Sequence, residues 1–149
     1  MKKIVMFLLS VVFSVQTDLL LAAKLSPDIQ AMKERIESQL MAPDRISDDV
    51  SKDAARPPFE YYHFLGLRPG MIAADLGTST GYSLEIIAAA VGPEGEVYGQ
   101  NSPRMLKFRD GMIERGIKDR LAGNRLPNAQ HIVADLNEVE FPRLLDFAH

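Results

Sequence analysis

An α/β domain built on a parallel sheet with flanking helices is the fold this sequence predicts. Short apolar runs at Met71–Leu76, Glu96–Gly99 and Ala129–Ala134 alternate with stretches whose apolar residues recur every three or four positions. That alternation gives β-α-β units with right-handed crossovers. Turn residues also fall between the runs: Arg68-Pro69-Gly70, then Gly77 to Gly81, then Gly92-Pro93-Glu94-Gly95. They punctuate the chain where a strand must hand over to a helix or the reverse.

Taken in order, the chain opens with Met1-Lys2-Lys3 and a nearly continuous apolar run from Ile4 to Val15. A positive start followed by a run too short to span a bilayer reads as an export signal, assigned here to residues 1–23. It predicts a periplasmic or secreted protein with no stable membrane span after cleavage; a buried N-terminal helix is the competing reading. Residues 24–55 form a helical lead-in. Ser26-Pro27 supplies a cap and a first-position proline, and Ile29, Met32, Ile36 and Leu40 make one apolar stripe that Pro43 ends. Asp44 to Pro58 is polar and Asp-rich and reads as a linker or loosely packed segment. Phe59 to Leu65 is a short aromatic helix closed by Gly66. Residues 56–149 then carry the sheet: a strand to Leu76, a helix over Tyr82 to Val91, and a strand from Glu96. A helix starts at Ser102-Pro103 with Met105, Leu106, Met112 and Ile113 on its apolar side. A third strand follows to Ala134, and a possible fourth opens at Leu144 to Phe147. The expectation is a partial, Rossmann-like sheet of about four strands.

Composition narrows the function classes. The 149 residues are 46% apolar and 25% charged with a net charge of −3, which describes one packed domain with no concentrated basic patch. A nucleic-acid partner is therefore not expected, and a small-molecule substrate fits better. There are no cysteines, so disulfides, thiol nucleophiles and Cys-ligated zinc are excluded, and no metal site is expected.

The turn from Gly77 to Gly81 is the chemical centre of the sequence. Small residues there let the backbone approach a ligand, and the helix that follows presents a partial positive charge to an anion. Asp75 stands two residues before the first glycine. It is badly placed for a dinucleotide's pyrophosphate and well placed for an ammonium group, such as the methionine end of S-adenosylmethionine (SAM). Gly77-Thr78-Ser79-Thr80-Gly81 also spells G-x-S-x-G, the nucleophile elbow of an α/β-hydrolase. That reading lacks partners: the histidines after Ser79 are His131, inside an apolar strand, and His149, the last residue. A plain packing turn is the third reading.

Three stretches carry a resemblance. Leu65-Gly-Leu-Arg-Pro-Gly-Met71, Ala74-Asp-Leu-Gly-Thr-Ser-Thr-Gly-Tyr82 and Val91-Gly-Pro-Glu-Gly-Glu-Val-Tyr98 resemble the first half of a class I SAM-dependent methyltransferase. More narrowly, they are similar to a group of exported bacterial methyltransferase-like proteins. The resemblance covers Arg56 to Phe147. It implies SAM as cofactor and methyl transfer to an unknown acceptor. It places Asp75, Gly77, Thr78, Ser79 and Gly81 at the methionine end of SAM, Gln100 and Asn101 where the family holds the ribose, and Asp135 and Leu136 beside the adenine. Two positions depart from the pattern. Gln100-Asn101 stand where an acid is usual, and Ser79 stands where a glycine is frequent. An amide bonds a hydroxyl without the charge-assisted strength of a carboxylate. Asn101 and Ser102 have a competing role as helix caps, and Asp135 as a turn residue. The later strands of such a sheet are not legible. A fragment, a SAM-binding remnant without turnover, and a homo-oligomer formed through an exposed sheet edge are the expectations that follow. No catalytic residue can be named.

Overall fold

The computed structural model describes residues 25–146. The expected export signal lies outside the described residues. Three helices precede the sheet: α1 (Pro27–Leu40), α2 (Val50–Ala55) and α3 (Pro58–Phe64), with a 3-10 turn at Ser47–Asp49. The sheet comprises β1 (Ile72–Leu76), β2 (Glu96–Asn101) and β3 (Ala129–Val133). Between β1 and β2 lies α4 (Tyr82–Val91); between β2 and β3 lie α5 (Pro103–Leu106) and α6 (Phe108–Leu121).

All strands are parallel in the order β1-β2-β3. Asp75 pairs with Gly99 and Gly99 with His131, so these three share one row and one face. That face carries α4. A Cβ on Gly99 would lie 2.9 Å from Leu84 and 3.0 Å from the Thr78 methyl, so only glycine lets helix and sheet come this close. On the opposite face Tyr98 is fully buried and meets Phe141 of the C-terminal segment at 5.7 Å between ring centroids.

The core joins α1 to α4. Of the predicted stripe, Ile29, Met32 and Ile36 are buried and pack with Leu84, Ile87, Ala88 and Val91, and Leu40 is partly buried against them. The C-terminal carbonyls of α4 are met by side chains from outside. Arg35 donates to the Ala89 and Ala90 carbonyls at 2.9 Å each, and Asn128 to those of Ala88 and Gly92 at 2.9 and 2.8 Å. These bonds satisfy acceptors that a helix end leaves open.

Four expectations change. Ser26 precedes α1 but makes no side-chain cap bond. The Asp-rich segment is not loose; Asp49 docks it through a buried ion pair with Arg120. The helix after Ser102-Pro103 is broken, because Arg109, Asp110 and Gly111 have φ of 45°, 54° and 80°, the left-handed region, between α5 and the body of α6. Three strands, not about four, are formed among the described residues. The expected fourth segment is represented by Asp146, whose N–H donates to the Ile72 carbonyl at 2.9 Å and whose carboxylate accepts from the Ile72 N–H at 2.8 Å. The chain thus winds from β1 to β3 and then returns to the outer edge of β1. Ligands of open parallel α/β sheets bind outside the carboxyl ends of the strands.

Candidate functional site

The carboxyl ends of β1 and β2 and the turn Gly77 to Gly81 form one compact unit. Asp75 ends the partly buried stretch of β1; Leu76 after it is 57% exposed. The Asp75 carboxylate accepts from the Thr78 hydroxyl at 2.6 Å. Burial raises its pKa above the usual carboxylate value, and the hydrogen bond from the Thr78 hydroxyl opposes that rise without cancelling it. Among the described residues no Lys or Arg forms a salt bridge with it, so Asp75 is a largely desolvated acid without a cation.

The turn itself is held by β2. The Gly77 N–H donates to the Gln100 side-chain carbonyl at 3.0 Å and the Thr78 N–H to the Gln100 backbone carbonyl at 2.9 Å. The Ser79 N–H donates to Asn101 Oδ1 at 2.9 Å, and Asn101 Nδ2 returns a bond to the Ser79 carbonyl at 3.0 Å. Gln100 also donates to the Ala134 carbonyl at 2.6 Å, tying β3's end to the same knot. Both amide side chains are buried, at 2% and 0% exposure, and committed to the backbone. The N–H groups of Gly77, Thr78 and Ser79 are therefore all spent on β2. The reciprocal Asn101–Ser79 pair holds Ser79 at φ 57°. It gives a local reason for an amide where the family pattern has an acid: a carboxylate could accept from Ser79 but not donate back.

The two glycines do different work. Gly77, at φ 69°, has nothing within 4 Å of the place a Cβ would occupy. Gly81, at φ 86°, would put a Cβ 2.7 Å from Ile117 and 2.8 Å from the Arg120 side chain. The first has open space beside it; the second lets α6 pack on the turn. Gly81→Ala is expected to cost about 2 kcal/mol of stability in a urea unfolding experiment through clash and left-handed strain. Gly77→Ala should cost only about 1 kcal/mol, the left-handed term alone.

Of the other predicted positions, Asp135 and Leu136 follow β3 and are both exposed, Leu136 at 64%. With Leu76 and with Val133, 50% exposed, they leave an apolar and acidic rim at the carboxyl end of the sheet. Ser102 caps α5, its hydroxyl accepting from the Met105 N–H at 3.2 Å. Tyr61, Tyr62 and His63 belong to α3. Tyr62 is buried and meets Tyr61 edge-on at 5.0 Å, and His63 stacks on Phe59 at 5.3 Å.

Sequence reasoning missed the buried ion network that anchors the turn. Arg120, 2% exposed, donates Nε to the Thr80 carbonyl at 2.6 Å, one Nη to Glu85, and the other Nη to Asp49 at 2.7 Å. Glu85 also accepts from Gln39 and from Arg125 at 2.7 Å each, and Arg125 reaches Asp44 at 2.6 Å. Burial raises the pKa of Asp49 and of Glu85, but their hydrogen bonds to basic and amide partners outweigh it and leave both low. A signal existed. Glu85 lies three positions before Ala88, and Arg120 three after Ile117, so helical spacing puts each charge on a buried stripe.

The hydrolase arrangement is not formed. His131 Nε2 faces Asn101 Nδ2 at 3.1 Å, and no hydrogen bond among the described residues joins the Ser79 hydroxyl to a histidine. Burial lowers the His131 pKa, which keeps the ring neutral and able to accept from the amide. Among the described residues there is no cluster able to hold a metal ion and no helix long and apolar enough to cross a membrane.

No family model matches the sequence, and no curated protein resembles it at the sequence level. Solved structures do resemble the fold. A SAM-dependent methyltransferase from Aquifex aeolicus superposes with a TM-score of 0.52 at 20% identity, over 78% of this chain and 52% of that one. A protein-L-isoaspartate O-methyltransferase gives 0.44 at 21% identity, over 54% and 23% of the two chains. The S-adenosylhomocysteine-bound methyltransferase PaMTH1 of Podospora anserina gives 0.33 at 15% identity, over 93% and 55%. The first of these establishes a class I methyltransferase-like fold for the chain. The chain spans about half the length of that protein.

Proposed function

We propose that the chain binds SAM at the carboxyl ends of β1 and β2, and that the acceptor of its methyl group is a small molecule. The observation that carries this reading is Asp75: a desolvated acid without a cation, one turn from an exposed left-handed glycine with open space above it. An α-ammonium group supplies the missing cation, and Gly77 leaves room for the chain that bears it. SAM, when bound, supplies a sulfonium methyl group for in-line displacement by a nucleophile. Such transfer depends chiefly on positioning, so the lack of an evident acid-base pair is compatible with it. Leu76, Val133 and Leu136 offer apolar contacts to a flat base, and Asp135 a hydrogen-bond acceptor. The ribose is the weak point of the fit, since Gln100 and Asn101 are already committed to the turn.

Photo-crosslinking with radiolabelled SAM tests the reading. Adducts are expected on the peptide holding Asp75 to Tyr82 and to fall away in Gly77→Ala, which the fold tolerates. Labelling confined to other peptides would refute the site. Labelling without methyl transfer to any acceptor would assign the chain to the binding remnant rather than to an enzyme.

A further inference from the structure

A pocket of about 220 Å³ lies beside the glycine turn, lined by Lys52, Ala55, Arg56 and Tyr82. Its walls come from the Asp-rich segment on one side and from the first residue of α4 on the other. Tyr82 is fixed there, because its hydroxyl donates to Asp53 at 2.9 Å, and Asp53 is also held by Arg45 at 2.7 Å. The Lys52 ammonium sits 5.0 Å from the Tyr82 ring centroid, and the Arg56 guanidinium 4.8 Å from that of Tyr61. No acid lines the pocket.

The charge pattern is uneven. Across the docked segment and its partners, Arg45, Lys52, Arg120 and Arg125 are each paired with carboxylates drawn from Asp44, Asp49, Asp53 and Glu85. Arg56 forms no salt bridge among the described residues. Of the two cations lining the pocket, Arg56 is thus the one without a carboxylate partner among the described residues, its guanidinium resting on the Tyr61 ring instead. Lys52 is only partly satisfied: its side chain is 46% exposed, and the Asp49 it touches is shared with Arg120. The pocket also adjoins the proposed cofactor site. Tyr62 is buried and its hydroxyl has no hydrogen-bond partner. Burial raises its pKa, the nearby Ser83 hydroxyl lowers it without reaching hydrogen-bond geometry, and the charges of Asp75 and Arg56 act on it in opposite directions.

We propose that Lys52 and Arg56 form an anion subsite beside the glycine turn, taking a carboxylate or phosphate group. Two sources share that chemistry: an anionic acceptor and the carboxylate of the cofactor's own methionine end. Assigning the source rests on the SAM reading above; the subsite itself does not.

The test is a nuclear magnetic resonance titration of the full chain with inorganic phosphate. Saturable shifts at the backbone amides of Lys52, Arg56 and Tyr82 are expected, with affinity at least tenfold weaker in Arg56→Gln. Arg56 is exposed and outside the buried network, so this variant should fold normally. Shifts scattered over basic residues generally, or unchanged in Arg56→Gln, would overturn the proposal. Failure of SAM to bind would leave this readout intact, so the two readings fail separately. Where SAM binds, a loss in Arg56→Gln for SAM but not for decarboxylated SAM assigns the subsite to the cofactor. Equal affinity of wild type and variant for both assigns it to the acceptor.

Discussion

Asp75→Asn should raise the melting temperature of the ligand-free chain while weakening SAM binding. The acid is desolvated without a cation, so its charge costs stability in the free protein. Asparagine keeps an acceptor for the Thr78 hydroxyl and removes the charge. A gain of roughly 1 kcal/mol, about 2–4 °C, is the usual scale for such relief in a chain of this length. The ammonium of the ligand loses a charge-assisted bond, and affinity should fall about 10- to 100-fold. The pH dependence follows from the raised pKa. Folded protein holds this proton more tightly than unfolded protein, so Asp75's contribution to stability declines as pH rises from the unfolded to the folded pKa, and stays at the lower level above it. Ligand affinity runs the other way, lost as pH falls through the folded pKa because the ammonium needs the carboxylate. Both dependences should vanish in Asp75→Asn, measured by calorimetry across the acid range. A variant that is less stable and binds as well as wild type would show that Asp75 serves only to hold the Thr78 hydroxyl in the turn.

Arg120→Met should be the most destabilising single change in the sheet domain. It leaves Asp49 and Glu85 buried without their shared cation and frees the Thr80 carbonyl. Breaking a buried pair from one side costs about 3–5 kcal/mol, a large share of the stability of an ordinary domain. In wild type the lowered pKa values of Asp49 and Glu85 give stability that is present above their unfolded values and is lost as pH falls through the folded ones. Without Arg120 that advantage shrinks or inverts, and mild acid should relieve the variant. The triple change Arg120→Met, Asp49→Asn, Glu85→Gln should recover much of the loss, since a neutral set no longer leaves charges buried alone. Urea unfolding of the variants at neutral and acid pH reads both effects. A loss below about 1 kcal/mol in Arg120→Met would mean that water already reaches the network.

Much of this architecture was legible because it is local. β1, the turn after it and α4 are written in consecutive residues, and their observed limits follow the residue pattern closely, as at Tyr82–Val91. The Asp-rich segment was misread because polarity near a proline pair ordinarily means solvent. Its true partner, Arg120, lies 71 residues away, and no local pattern reports that distance. The break at Arg109 and Asp110 had Gly111 as its single local sign, since two non-glycine residues rarely take left-handed φ. At the site, sequence located Gln100 and Asn101 at the end of β2 but not the direction of their side chains, which depends on how closely the turn folds back on β2.

Calorimetric titration of SAM into the full chain tests the central claim most directly. Stoichiometric, micromolar binding, weakened at least tenfold by Asp75→Asn in a variant that remains folded, is the predicted result. A folded wild-type chain that takes up no SAM would contradict it, leaving a methyltransferase-like fold without the cofactor.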